Sequence, residues 1–359
     1  MNGKWLIYGA YGYTGELIVQ EAVRRGLHPV IAGRNVEKLA ALAAQFQLET
    51  RTFPLDGSAH EHLQNIDLVL HCAGPFSETS KPMIEACLAS GAHYLDITGE
   101  ISVFEHTHAQ HERAIAAGIV LCSGVGFDVI PTDCTALKLK EILPDATQLA
   151  LGFDSDSGIS PGTYKTAVRG LGSGSAVRRN GRLTAVPLGS QHRRIDFGRG
   201  SKSAIGIPWG DVATAFYTTG IPDISTWIPM PRAAVFGARL SNVLRPVLAS
   251  GPVQQKLSAW VEQNVSGPDE TLRKNSPAFI WGEASNAAGI RKSVRIQVAN
   301  VYDLTVYGAL ETAVRLLNGN FPAGSSTPAR LFGSQLIEAL PGSGKFEIDT
   351  FYPSPKNKN

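Results

Sequence analysis

The run Gly9-Ala10-Tyr11-Gly12-Tyr13-Thr14-Gly15 sets a glycine at every third position between an apolar stretch, Trp5 to Gly9, and an amphipathic one whose apolar positions include Leu17, Ile18 and Val23. A strand that passes directly into a helix through such a run has a specific use for each glycine. The first permits a tight turn, the second lets a pyrophosphate approach the backbone, and the third lets helix and sheet pack closely. The N–H groups at the helix start then hold phosphate oxygens. This segment therefore predicts a dinucleotide-binding βαβ unit, with Gly9, Ala10, Tyr11, Gly12, Tyr13, Thr14 and Gly15 as the candidate pyrophosphate-binding residues.

The end of the second apolar run selects the nucleotide. Sites for NAD usually place Asp or Glu there to accept the ribose 2′-OH. Here Ile31-Ala32-Gly33-Arg34-Asn35 offers no carboxylate. Arg34 brings a guanidinium suited to a 2′-phosphate, so NADP(H) is the expected cofactor, held by Gly33, Arg34 and Asn35 with Lys38 one turn on. The other reading of Arg34 is a surface arginine at a strand end. Asp56, after the third strand, either contacts adenine or caps the helix that follows. His71-Cys72-Ala73-Gly74-Pro75 closes the fourth strand, and Cys72, Ala73, Gly74 and Pro75 are candidates for lining the nicotinamide half, or else form an ordinary strand-ending turn.

The rest of the first part keeps this rhythm. Strands are expected at Trp5 to Gly9, His28 to Gly33, Thr50 to Phe53, Asp67 to Cys72, Tyr94 to Asp96 and Ile119 to Cys122, with helices at Thr14 to Arg25, Val36 to Gln47, Lys81 to Ser90 and Ser102 to Ala117. That alternation buries a parallel sheet between two helical layers. After Asp128-Val129-Ile130-Pro131 the alternation stops and Gly-rich, Arg-rich stretches run from Ser155 to Ser203, so a second domain begins near there.

Composition narrows the partners. The 359 residues carry 33 Lys+Arg against 31 Asp+Glu, a formal charge of +2, far from the basic balance of a dedicated nucleic-acid binder, so no nucleic-acid partner is expected. Cys72, Cys87, Cys122 and Cys134 fall in no CxxC pair and read as buried hydrophobes of a reducing compartment, so the cytoplasm is the expected location. With a strand expected almost from the first residue no signal peptide is expected, and no apolar run is long enough to span a bilayer.

With Pro82-Met83-Ile84-Glu85-Ala86-Cys87, Gly91-Ala92-His93-Tyr94-Leu95-Asp96-Ile97-Thr98-Gly99-Glu100 and Gly126-Phe127-Asp128-Val129-Ile130-Pro131-Thr132-Asp133, the elements above resemble the saccharopine dehydrogenase-like oxidoreductases, a group that includes proteins named trans-acting enoyl reductases. The resemblance is strong up to Asp133 and thinner beyond. It implies an α/β fold, an N-terminal Rossmann doubly wound parallel sheet with a second α+β mixed-sheet domain, and C-terminal helices that return to the first. The expected division is 1–130 for the NADP-binding domain, 131–301 for a substrate and dimerisation domain, and 302–359 packing back on the first.

The chemistry expected of such a chain is hydride transfer between NADP(H) and a C=N, C=O or activated C=C bond. The cofactor would supply the hard step and the protein the placement. Asp128, after the sixth strand, either serves a substrate at the nicotinamide edge or caps the helix near Pro131. Tyr164 and Lys165 are candidate proton donors in the second domain, and residues 126–170 are expected to close the site. Between Tyr164 and Ser203 lie Lys165, Arg169, Arg178, Arg179, Arg182, Arg193, Arg194, Arg199 and Lys202, with Asp196 the one acid. That excess reads either as an electropositive mouth for a small anionic substrate, acyl-CoA or carrier-bound, or as a solvated face or dimer rim. A homodimer is the expected assembly.

No metal site is expected: His106 and His108 are about 200° apart on a helix. The tail spacing Tyr352 to Lys356 cannot be a helical Tyr-x-x-x-Lys pair with two prolines inside it. A different class of answer keeps the nucleotide and drops turnover, as an NADP sensor or scaffold. Membrane docking through Ala233 to Val265 is a weaker option, because Pro246 and Gly251-Pro252 break that apolar face.

Overall fold

The computed structural model describes residues 3–157, 174–248, 250–264 and 276–352. The chain divides into two units, Met1–Ile130 with Val301–Leu331, and Pro131–Asn300 with Phe332–Asn359.

The first unit runs β1 (Trp5–Tyr8), α1 (Tyr13–Arg24), β2 (Val30–Gly33), α2 (Val36–Phe46), β3 (Thr50–Thr52), β4 (Leu68–His71), α3 (Phe76–Ser90), β5 (His93–Asp96), α4 (Ile101–Ala109), α5 (His111–Ala116) and β6 (Val120–Cys122). Its sheet has the order β6-β5-β4-β1-β2-β3, with the short strand Gly324–Ser325 beside β6, and every described pairing in it is parallel. This is the expected doubly wound Rossmann sheet. Strands covered on both faces need apolar residues at every position, and β1 shows it: Trp5 and Ile7 enter one core with Ile18, Val19 and Leu39, while Leu6 and Tyr8 enter the other with Met83, Ile84 and Cys87. The Val301–Asn318 helix completes the first of these layers through Val306, Ala309, Leu310 and Ala313.

Two helices differ from expectation. The stretch expected as one helix from Ser102 to Ala117 breaks at Gln110 into α4 and α5. Helix α3 starts at Phe76, five residues before the expected Lys81, because the Glu100 carboxylate accepts hydrogen bonds from the backbone N–H groups of Phe76 (3.0 Å) and Ser77 (3.1 Å) and so caps the first turn from another loop.

The second unit is a mixed sheet. Its strands are β7 (Ala146–Ser155), β8 (Ser175–Arg179), β9 (Arg182–Val186), β10 (His192–Asp196), β11 (Ser201–Ile207), β12 (Asp223–Pro229), β13 (Ala278–Asn286), β14 (Arg291–Val298) and a closing strand, Glu347–Phe351. The order is β10-β11-β12-β7-β13-β14-closing strand, with the β8–β9 hairpin attached to β12. In this sheet, among the described residues, only β12 and β7 pair in parallel. Helix α6 (Ile130–Ile142) packs Ala136 and Leu139 on one face with Leu149, Leu151 and Ile224. Trp227, Trp281 and Phe197 cluster on this sheet as well.

The tail departs from the expected division. Only Val301–Leu331 lies in the first unit, and Phe332 onward lies in the second, because the closing strand hydrogen-bonds along β14 from Arg291↔Phe351 to Arg295↔Glu347. Among the described residues no helix is long and apolar enough to cross a membrane.

Candidate nucleotide site

The strand order reverses between β1 and β4, and in open α/β sheets ligands bind outside the carboxyl ends at that point. The candidate residues gather there. Gly9 leaves β1 with φ of +83°, and a Cβ on it would lie 2.7 Å from the backbone nitrogen of Ala73. The Cys72–Pro75 turn therefore passes directly against the glycine turn, and the backbone N–H of Cys72 donates to the Tyr8 carbonyl at 2.8 Å. A Cβ on Gly15 would come within 2.3 Å of the Gly9 carbonyl oxygen, whereas one on Gly12 would meet only that oxygen, at 3.3 Å. Gly9 and Gly15 are thus demanded by packing, and Gly12 is demanded by nothing inside the turn. Gly12 is also the N-cap of α1 and supplies no side chain to cap it, which leaves first-turn N–H groups for an anion. Ala10 is buried in the core, Thr14 sits half-buried in the first turn, and Tyr13 turns edge-on to Tyr302 at 5.3 Å between ring centroids.

At the end of β2 the backbone N–H groups of Arg34 and Asn35 both donate to the phenolic oxygen of Tyr11, at 3.2 and 3.3 Å. The Tyr11 ring occupies the space over Gly33, where a Cβ would lie 2.5 Å from Cε1, and the Lys38 ammonium stands 5.7 Å from the ring centroid. The Arg34 side chain is exposed. The Asn35 side chain is already engaged: its Oδ1 accepts the Lys38 N–H at 2.8 Å as the N-cap of α2. Asp56 is exposed and accepts from the Ser58 N–H (2.9 Å) and hydroxyl (2.6 Å). Those bonds hold its carboxyl below the usual range.

On the β4 side the Gly74–Pro75 bond is cis, and the Thr79 hydroxyl donates to the Ala73 carbonyl at 2.6 Å. Burial pushes the Cys72 thiol well up, so it is no thiolate. His71, which precedes it, is fully buried beside Tyr8 and Tyr94. Desolvation takes its imidazole down to about 3 and keeps it neutral.

Two carboxylates lie at the ends of β5 and β6. Asp96 is buried and accepts four hydrogen bonds, from the Thr98 N–H (3.0 Å), the Gly124 N–H (2.8 Å), the Tyr94 hydroxyl (2.8 Å) and the Ser123 hydroxyl (2.8 Å). Burial raises its carboxyl and these bonds oppose the rise. Asp96 ties the β5 exit to the β6 exit. Its role was not legible beforehand, since three of its four donors lie off its own strand. Asp128 packs its carboxylate on Gly99, where a Cβ would be 2.6 Å from Oδ2, and desolvation raises it from 3.8 to about 7. A carboxyl group titrating near neutrality is able to hold or release a proton there.

Tyr164, Lys165 and Arg169 lie outside the described residues. Among the described residues of the basic stretch, Arg193, Arg199 and Lys202 are paired with acids. Arg199 and Lys202 both bond Asp154, at 2.9 and 2.6 Å. Arg193 bonds Glu283 at 3.1 Å and stands 4.8 and 4.7 Å from the rings of Trp227 and Trp281. Buried Arg178 donates to the Val212 and Gly181 carbonyls. Arg179, Arg182 and Arg194 are exposed. The acids that pair Arg193, Arg199 and Lys202 come from β7 and β13, distant in sequence.

Residues 5–122 match the family model described as the saccharopine dehydrogenase NADP binding domain. A human saccharopine dehydrogenase-like oxidoreductase is 29% identical over 214 residues, covering 51% of this chain and 50% of that protein. A Mycobacterium tuberculosis protein named as a trans-acting enoyl reductase is 28% identical over 144 residues, covering 37% of this chain and 34% of that one. The chain thus spans about half the length of the first of these relatives, or less. Among solved structures, apo saccharopine dehydrogenase (L-Glu forming) from Saccharomyces cerevisiae shares the fold at a TM-score of 0.64 and 9% identity, covering 97% of this chain and 100% of that one.

Proposed function

We propose an NADP(H)-dependent oxidoreductase that transfers hydride to or from a C=N, C=O or activated C=C bond of a small-molecule substrate, a reading supported by the match of residues 5–122 to the saccharopine dehydrogenase NADP binding domain model. The observation that carries the reading is the end of β2. Two backbone N–H groups converge there on one acceptor oxygen beside the cations Arg34 and Lys38, an arrangement that suits a phosphate.

In this reading the N–H groups of the Gly9–Gly15 turn hold the pyrophosphate, and Gly12 leaves it room. Arg34 grips the 2′-phosphate with the N–H groups of Arg34 and Asn35. Asn35 works through its backbone and as the cap that fixes the turn. Ala73, Gly74 and Pro75 line the nicotinamide half. Bound there, the nicotinamide would supply or accept the hydride. Asp128 is the chain's proton carrier. Protonated below about 7, it gives its proton to the substrate nitrogen, oxygen or carbon in the reductive direction and recovers one from solvent. The reductive rate then falls as pH rises past about 7, and the oxidative rate rises.

The test is oxidation of NADPH, followed by its absorbance, with imines formed from amino and keto acids, with keto acids alone and with enoyl thioesters. The names of the relatives span saccharopine dehydrogenase and enoyl reductase, so the panel includes both bond types. One class is expected to oxidise NADPH and leave NADH largely untouched. Tight NADPH binding with no acceptor reduced would overturn the proposal in favour of a sensor or scaffold.

A further inference from the structure

The hydroxyl of Tyr11 stands where the proposed cofactor reading requires an anion. We infer that Tyr11 is a placeholder for the nucleotide's 2′-phosphate: its phenolic oxygen satisfies the N–H groups of Arg34 and Asn35 while the site is empty and gives way to a phosphate oxygen when an NADP-type nucleotide binds. The inference rests on that reading and adds a specificity-determining residue to it.

Four observations carry it. Both N–H donors point at the one phenolic oxygen, at 3.2 and 3.3 Å, longer than the usual 2.9–3.0 Å for such bonds, so the neutral oxygen is a poor match for a site that a charged one fits better. The Lys38 ammonium stands 5.7 Å from the Tyr11 ring centroid, Arg34 itself carries one of the two N–H groups, and neither cation makes an ion pair among the described residues. A phenol leaves both charges uncompensated, and a phosphate does not. The backbone that presents the two N–H groups is fixed independently of Tyr11, because Asn35 Oδ1 caps α2 at the Lys38 N–H, 2.8 Å away. The donors therefore stay in place when the tyrosine leaves. Finally, the ring fits only because residue 33 has no side chain, since a Cβ there would lie 2.5 Å from Cε1. Tyr11 is half-buried, so its outward path is not closed by the core.

A placeholder makes a directional prediction that a phosphate ligand does not. If the hydroxyl competes with phosphate, removing it strengthens binding of 2′-phosphorylated nucleotides; if it contacts the phosphate, removing it weakens them. The experiment is Tyr11→Phe, which keeps the ring on Gly33, titrated calorimetrically with 2′,5′-ADP, 5′-ADP and NADPH beside the wild-type protein. The expected result is a gain of about fivefold to tenfold for 2′,5′-ADP and NADPH, equivalent to about 1 kcal/mol, with 5′-ADP unchanged. Equal or weaker binding of 2′,5′-ADP by the variant overturns the placeholder while leaving the cofactor reading in place. A wild-type protein that binds 2′,5′-ADP and 5′-ADP alike removes the cofactor reading, and the inference falls with it.

Discussion

Replacing Gly9, Gly12 and Gly15 one at a time by alanine should split three residues that look equivalent in sequence into two kinds. Gly12 has φ of −77° and ψ of 159°, open to any residue, and its new methyl would touch only the Gly9 carbonyl oxygen, at 3.3 Å. Gly12→Ala should therefore stay within ~1 kcal/mol of the parent in stability, the small cost of alanine at an N-cap. The same methyl stands in the path of the pyrophosphate, so NADPH binding should weaken by about tenfold or more, ~1.4 kcal/mol. Gly15→Ala puts a Cβ 2.3 Å from the Gly9 oxygen and 3.2 Å from the Ala10 Cα. Helix and turn must separate, which costs roughly 1–3 kcal/mol. Gly9→Ala adds a left-handed backbone at +83° to a contact of 2.7 Å with Ala73, together ~2–5 kcal/mol. A loss of ~3 kcal/mol lowers the melting midpoint of a domain of this size by roughly 6–12 °C. Circular-dichroism melts without nucleotide, paired with NADPH titrations, read both effects. The reasoning fails if Gly12→Ala melts as low as Gly15→Ala, or if it binds NADPH as the parent does.

Two carboxylates give further predictions. Asp128, raised to about 7 by burial against about 4 in the unfolded chain, binds its proton more tightly when folded. Its stabilising contribution is complete below pH ~4 and is lost as pH climbs to ~7. Asp128→Asn removes that loss, so urea titrations at pH 5 and pH 8 should show the parent losing up to ~2.6 kcal/mol more than the variant, with ~1.5 the better expectation for a carboxyl that solvent partly reaches. Identical pH dependence in the two proteins would contradict the burial argument. Asp96→Ala strands four donors at the ends of β5 and β6 and should cost ~3–5 kcal/mol. Asp96→Asn keeps one oxygen for the two N–H groups and an amide for the two hydroxyls, which can rotate to accept, so it should cost visibly less in the same urea titration. Equal losses for the two substitutions would mean that the network is not what holds those loops.

The sheet of the first unit was legible because strands buried on both faces are contiguous apolar words, as Trp5 to Tyr8 and Leu68 to His71 are, and because glycines sit at the turns between them. What the sequence hid was set by residues far apart in it. The first turn of α3 depends on Glu100. The strand Ala146–Ser155, central in the second sheet, alternates buried Leu149 and Leu151 with less buried neighbours and carries Gly152 and Asp154, a weak local signal that pairing with β12 and β13 overrides. That Asp154 and Glu283, from other strands, pair Arg199 and Arg193 could not be read within the arginine-rich stretch itself. In the candidate site, Arg34 and the glycines were readable one at a time. The contact of Tyr11 with residues 33–35 was not, since it joins the ends of β1 and β2.

The most direct measurement is calorimetry of the nucleotide-free protein with NADPH and NADH, repeated on Arg34→Ala. NADPH is expected to bind tighter than NADH by at least about tenfold, with that preference lost in Arg34→Ala as a charged hydrogen-bonding pair of ~1.5–3 kcal/mol disappears. Tighter binding of NADH, or no heat from either nucleotide on folded protein, would contradict it.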